Sequence, residues 1–164
     1  MKKTFLSLFI LTYSFVNSIG QDSLLKPYQV DADAKLQISN AIKEAATSNK
    51  HVLIMIGGNW CKWCIRLTQF MASHESIDST ITADYVYIHV NYSKENKNTD
   101  IMEQLEYPQR FGFPVLVVVD QTGRRIHTQD TGILEQGEGY SVEKIKNFLL
   151  NWNVAALDPA NYSK

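Results

Sequence analysis

The chain has 164 residues, 45% apolar and 20% charged, a mix that excludes a disordered polymer and fits one folded domain with its own core. Its formal net charge is −1; without residues 1–20, which hold Lys2 and Lys3 and no acid, 14 basic side chains face 17 acidic ones. That balance gives no bulk attraction to nucleic acid or anionic lipid, and after residue 20 no stretch has the length and apolarity of a membrane span.

Lys2 and Lys3 precede an apolar run, Phe5 to Val16, and small Ser18 and Gly20 stand before Gln21. This reads as a secretory signal over 1–20, followed by a folded domain over 21–152 and a peripheral tail over 153–164. Export would place the protein in the periplasm or outside the cell, with no membrane insertion once the signal is cut. Residues 33–48 space Leu36, Ile38, Ala41, Ile42 and Ala45 as a helix does. Residues 51–56 are continuously apolar and end at Gly57-Gly58, the pattern of a strand covered on both faces.

A second helix is expected from Cys61 to about Ala72, and a β-rich segment follows over 84–91. Ser93–Thr99 is polar enough for a surface loop, and Ile101, Met102 and Leu105 mark a short helix ending before Pro108. Pro114–Val119 reads as another buried strand, Asp120–Gly123 as a turn, and Arg124–Gln129 as an antiparallel return. Gly132, Gly137 and Gly139 predict a flexible connection, and Ser141 caps a last helix that runs to Trp152. Trp152 is expected to pack that helix on the sheet. The order α-β-α-β-α-β-β-α predicts an α/β fold: a mixed sheet with a parallel core, an antiparallel edge hairpin, and flanking helices.

The chain has two cysteines, Cys61 and Cys64, in the stretch Gly57-Gly58-Asn59-Trp60-Cys61-Lys62-Trp63-Cys64. A bridge over so short a loop removes little chain entropy, so the pair points to chemistry rather than support. At the start of a helix, free N–H groups and the positive end of the helix dipole favour a thiolate at Cys61. Cys64, one turn on, is placed to attack a mixed disulfide formed at Cys61. Zinc knuckles also use this spacing, but no second cysteine pair exists, and His51, His74, His89 and His127 are scattered without ligand spacing. No metal ligand is therefore assigned.

Phe111-Gly112-Phe113-Pro114 precedes a strand about 50 residues after the cysteines. Together with Trp60-Cys61-Lys62-Trp63-Cys64, this resembles the thioredoxin superfamily across nearly all of residues 33–152. It is similar in particular to exported single-domain members of the DsbH-like and disulfide-isomerase-like kinds. The resemblance implies a thioredoxin fold, Cys61 as the attacking thiol, Cys64 as the resolving thiol, and a cis peptide bond at Pro114 beside the pair. Two departures stand out. Lys62-Trp63 replaces the Gly-Pro found between thioredoxin's cysteines, and Met55 stands where thioredoxin has a buried Asp six residues before the first cysteine.

The expected function is an exported thiol–disulfide oxidoreductase that reduces protein disulfides. It would act without flavin, nucleotide or metal, on disulfide-containing exported proteins, and be recharged by a membrane-bound electron donor. Trp60, Lys62, Trp63 and Phe113 are candidates for shaping the site or touching substrate, with Tyr92 a further aromatic nearby; Arg66 is read as a solvated helix face. A disulfide oxidase or isomerase is the rival within the same chemistry. A non-enzymatic thioredoxin-fold module for metal binding or docking is the rival from another class.

Overall fold

The computed structural model describes residues 25–163. The signal expected over 1–20 lies outside them. Asp33 opens α1 (Ala34–Ser48): its side chain accepts from the Leu36 N–H at 3.0 Å, satisfying a donor the first turn leaves free. Asn49, in the left-handed conformation, closes the helix by donating its N–H to the Ala45 carbonyl. Ile38, Ala41 and Ala45 form the buried stripe.

β1 (His51–Gly57) is buried along its whole length. Its side chains alternate between two cores, as a strand's must. Val52, Ile54 and Ile56 face α1, while Leu53 and Met55 face the cysteine pair and the other helices. Each such side chain, fully removed from water, contributes about 1.5–3 kcal/mol.

The chain then forms α2 (Lys62–Ser73), α3 (Glu75–Asp84) and β2 (Tyr85–Asn91). Next come α4 (Thr99–Gln104), a 3-10 turn at Pro108–Phe111, β3 (Val115–Val119) and β4 (Arg125–Asp130). A small hairpin, β5 (Glu135–Gln136) and β6 (Gly139–Tyr140), leads to α5 (Val142–Asn151), whose N-cap Ser141 accepts from the Lys144 N–H. The main sheet has the order β2-β1-β3-β4. α1 and α4 cover one face; α2, α3 and α5 cover the other.

The sheet is mixed, with helices on both faces, and three details differ from the sequence reading. A helix, α3, occupies Glu75–Asp84, where none is assigned; Ile77 and Ile81, four apart, are its buried contacts. β3 runs antiparallel to β1, so the parallel part is the single pair β1–β2, and α4 is not a parallel crossover. The reason is length. A six-residue helix advances about 9 Å, whereas a seven-residue strand spans about 23 Å. The chain therefore enters β3 at the end of the sheet where it left β2. Thirdly, residues 132–140 are not a loose connection: a 3-10 turn and the β5–β6 hairpin bury Leu134 and Tyr140 against the core.

Among the described residues no helix is long and apolar enough to cross a membrane. Trp152 follows α5 and stacks on His127 of β4 at 4.1 Å. Residues 155–163 form two short 3-10 turns and are largely exposed.

Candidate active site

The site forms where β1 runs out. Gly57 ends the strand, Gly58 follows it, Asn59 and Trp60 turn the chain, and Cys61 is the N-cap of α2. Cys61 and Cys64 are joined in a disulfide, their Cα atoms 5.2 Å apart. The Cys64 N–H donates to Cys61 Sγ at 3.1 Å, so the sulfur occupies the place a capping oxygen takes elsewhere. Cys61 is 7% exposed and Cys64 0%, so Cys61 is the member of the pair nearer to solvent.

Pairing of Ile56 with Val115 brings the start of β3 alongside the end of β1. The loop before it, Gly112–Pro114, therefore lies next to the cysteine turn. The Phe113–Pro114 peptide bond is cis, and Pro114 is buried with its carbonyl accepting from the Thr131 hydroxyl. Gly112 has φ +85°, a conformation that other residues resist.

Two aromatic clusters are built on the neighbours of the cysteines in the chain, Trp60 and Trp63. In the first, Trp60 is 59% exposed, donates its Nε1–H to the Tyr92 carbonyl at 2.8 Å, and meets the Phe113 ring edge-on at 5.6 Å. Phe113 in turn packs on Tyr92 at 4.8 Å, and a groove of about 430 Å³ runs from Trp60 and Tyr92 past Lys94. In the second, Trp63 stands edge-on to Tyr140 at 5.6 Å, with the Arg66 guanidinium 4.7 Å from its ring centre. Arg66 also donates to the Glu138 carbonyl, which ties α2 to the β5–β6 hairpin. Lys62 points to solvent and makes no ion pair among the described residues.

Below the disulfide the sheet carries a polar cluster that the sequence reading does not assign. Met55 is fully buried, with the Thr68 and Tyr87 hydroxyls 3.5 and 3.6 Å from its sulfur. The same two hydroxyls lie 3.1 and 3.0 Å from His89 Nε2. Burial lowers the His89 pKa to about 4 and raises that of Tyr87, so both rings are neutral near pH 7. Tyr28, from the segment before α1, meets His89 edge-on at 5.1 Å and sits in the same core as both cysteines. Its link to the site is invisible in the sequence because its partner, Asn59, is 31 residues away. Among the described residues no group of three or more His, Cys, Asp or Glu side chains is arranged to hold a metal ion.

Comparison with known proteins agrees with this architecture. A family model described as a thioredoxin-like domain matches residues 38–139. The chain is similar to the crystal structure of a disulphide isomerase from Xylella fastidiosa Temecula1, with a TM-score of 0.67 and 24% identity over 76% of this chain and 95% of that one. A DsbH oxidoreductase is similar at a TM-score of 0.51 and 20% identity, covering 88% of this chain and 95% of that one. No curated protein matches. The matched segment holds β1, the Cys61–Cys64 pair, the Phe113–Pro114 loop and β3. The chain belongs to the thioredoxin-like domain family, as a member that carries the Cys-x-x-Cys pair of a thiol–disulfide oxidoreductase.

Proposed function

We propose that the protein is an exported reductase of protein disulfides. Residues 1–20 are its signal, 21–152 its working domain and 153–164 a peripheral tail. One observation carries the reading: of the two cysteines at the head of α2, Cys61 is the more exposed and its sulfur accepts an N–H bond, while Cys64 is fully buried. A group so placed is favoured as an anion by the donor and by the helix dipole.

In the reduced protein Cys61 Sγ attacks a substrate disulfide. One substrate sulfur leaves with a proton and the other stays bound to Cys61. Cys64 then attacks Cys61 Sγ, the second substrate sulfur leaves, and the Cys61–Cys64 disulfide closes. A membrane-bound donor outside the cytoplasm must return the two electrons. Trp60, Phe113 and Trp63 offer apolar surface to an extended chain of the substrate, and the backbone beside Pro114 offers it hydrogen bonds. Lys62 adds positive charge next to the reacting sulfur. The likeness to a disulphide isomerase and to a DsbH oxidoreductase supports protein disulfides as the substrate class and an exported setting.

Two variants test the assignment. Cys61→Ser should abolish turnover in a protein-disulfide reduction assay, and Cys64→Ser should accumulate mixed disulfides with substrate. Full activity in Cys61→Ser would remove the nucleophile. Equilibration with glutathione tests the direction: a reductant lies near about −270 mV and an oxidase near about −120 mV. Recovery from the periplasm of a chain beginning at Gln21 would establish export.

A further inference from the structure

Next to the disulfide is a hydroxyl without a hydrogen-bond partner among the described residues. It is the Oη of Tyr28, a residue 2% exposed. Buried hydroxyls are rarely left so, and an orphan beside reacting atoms calls for a reason. Two observations connect it to Cys64. A Cβ built on Gly57 would meet Cys64 Sγ at 2.5 Å and Tyr28 Oη at 2.9 Å, so the hydroxyl and the sulfur share the space that Gly57 leaves empty. The Asn59 side chain, from the turn that leads into Cys61, clamps the Tyr28 backbone. Its Oδ1 accepts from the Tyr28 N–H at 3.2 Å, and its Nδ2 donates to the Tyr28 carbonyl at 2.7 Å. Burial raises the phenol well above its usual pKa, so Tyr28 can donate a proton to a hydrogen bond and does not serve as a base.

We propose that Tyr28 is the hydrogen-bond donor that stabilises the Cys64 thiolate while it resolves the mixed disulfide. The inference rests on the oxidoreductase reading above. In the closed disulfide Cys64 Sγ carries no charge, and the hydroxyl has no partner among the described residues. When the pair opens, the sulfur facing Tyr28 becomes the nucleophile of the second step. The Cys64–Cys61 bond then forms, the bond from Cys61 to the substrate sulfur breaks, and the proton lost by the Cys64 thiol ends on the departing sulfur. No outside oxidant is consumed. A charge-assisted bond from a neutral phenol stabilises the buried thiolate without a second ionised side chain, in a protein whose β1 carries Met55 in place of a carboxylate.

The test is rapid-quench kinetics of the full chain, reduced and then mixed with glutathione disulfide, with the adducts followed by mass. Two rates are read: second-order formation of the Cys61–glutathione adduct and its first-order resolution. Tyr28→Phe should slow resolution about tenfold and leave adduct formation unchanged. Asn59→Ala, which frees the Tyr28 backbone but keeps the hydroxyl, should slow resolution in the same direction by a smaller factor. Resolution in Tyr28→Phe within twofold of the parent would overturn the proposal, as would equal slowing of both steps, which marks a merely structural role. A parent that forms no adduct at Cys61 would overturn the oxidoreductase reading instead.

Discussion

A methyl group on Gly57 would stand 2.5 Å from Cys64 Sγ and 2.9 Å from Tyr28 Oη, closer than packed atoms allow. Neither neighbour can give way easily, since the sulfur is fixed by its bridge and the tyrosine by Asn59. Gly57→Ala should therefore destabilise the oxidised protein by about 1–3 kcal/mol in denaturant unfolding. An unchanged midpoint would mean that the space between hydroxyl and sulfur is looser than described. Gly112 is glycine for a different reason: nothing lies within 4 Å of its would-be side chain, and its φ of +85° is what excludes other residues. At this scale the sequence revealed what is local. Cys61 and Cys64 sit in a short motif whose chemistry follows from spacing, and Pro114 stands out through the resemblance to the thioredoxin superfamily. Tyr28, Thr68, Tyr87 and His89 carry no such mark, because the fold gathers them from a strap, a helix and a strand.

The elements were legible where one periodicity ran its full course, as in α1, β1 and β3. α3 was not, because its ten residues, mostly Ser, Thr, Asp and Glu, show two buried isoleucines and little else. The direction of β3 was hidden as well, since a helix between two strands reads as a crossover whether or not it is long enough to be one. Contacts between elements are specific enough to test. The Tyr85 hydroxyl, at the start of β2, donates to the Leu149 carbonyl in α5 at 2.6 Å, and the tyrosine is buried. Without it that carbonyl keeps a long 3.4 Å bond from the Trp152 N–H. Tyr85→Phe should cost about 1 kcal/mol in unfolding free energy and leave the redox rates unchanged. A variant as stable as the parent would show that this tie between sheet and helix carries no net stability.

Across the whole molecule, partly buried imidazoles make the fold sensitive to acid. Burial holds His89 at a pKa of about 4, below its ordinary value of 6.5. Between those values the unfolded chain binds a proton that the folded one refuses, so stability is complete above pH 6.5 and falls as pH drops toward 4. The slope from this one group is at most about 1.4 kcal/mol per pH unit. His127, stacked on Trp152, is shifted in the same direction, chiefly by burial. Denaturant midpoints at pH 7, 5.5 and 4.5 should decline more steeply for the parent than for His89→Gln; parallel declines would remove His89 as a source. The strap that carries Tyr28 has a practical consequence for anyone dissecting this protein. A fragment trimmed to the homologous stretch, 38–139, would keep the redox motif but leave a socket the size of a phenol beneath it, missing α5 as well. A piece cut to hold the chemistry should thus be wider than the stretch that sequence kinship outlines and include Tyr28, which Asn59 fastens beside the cysteine turn.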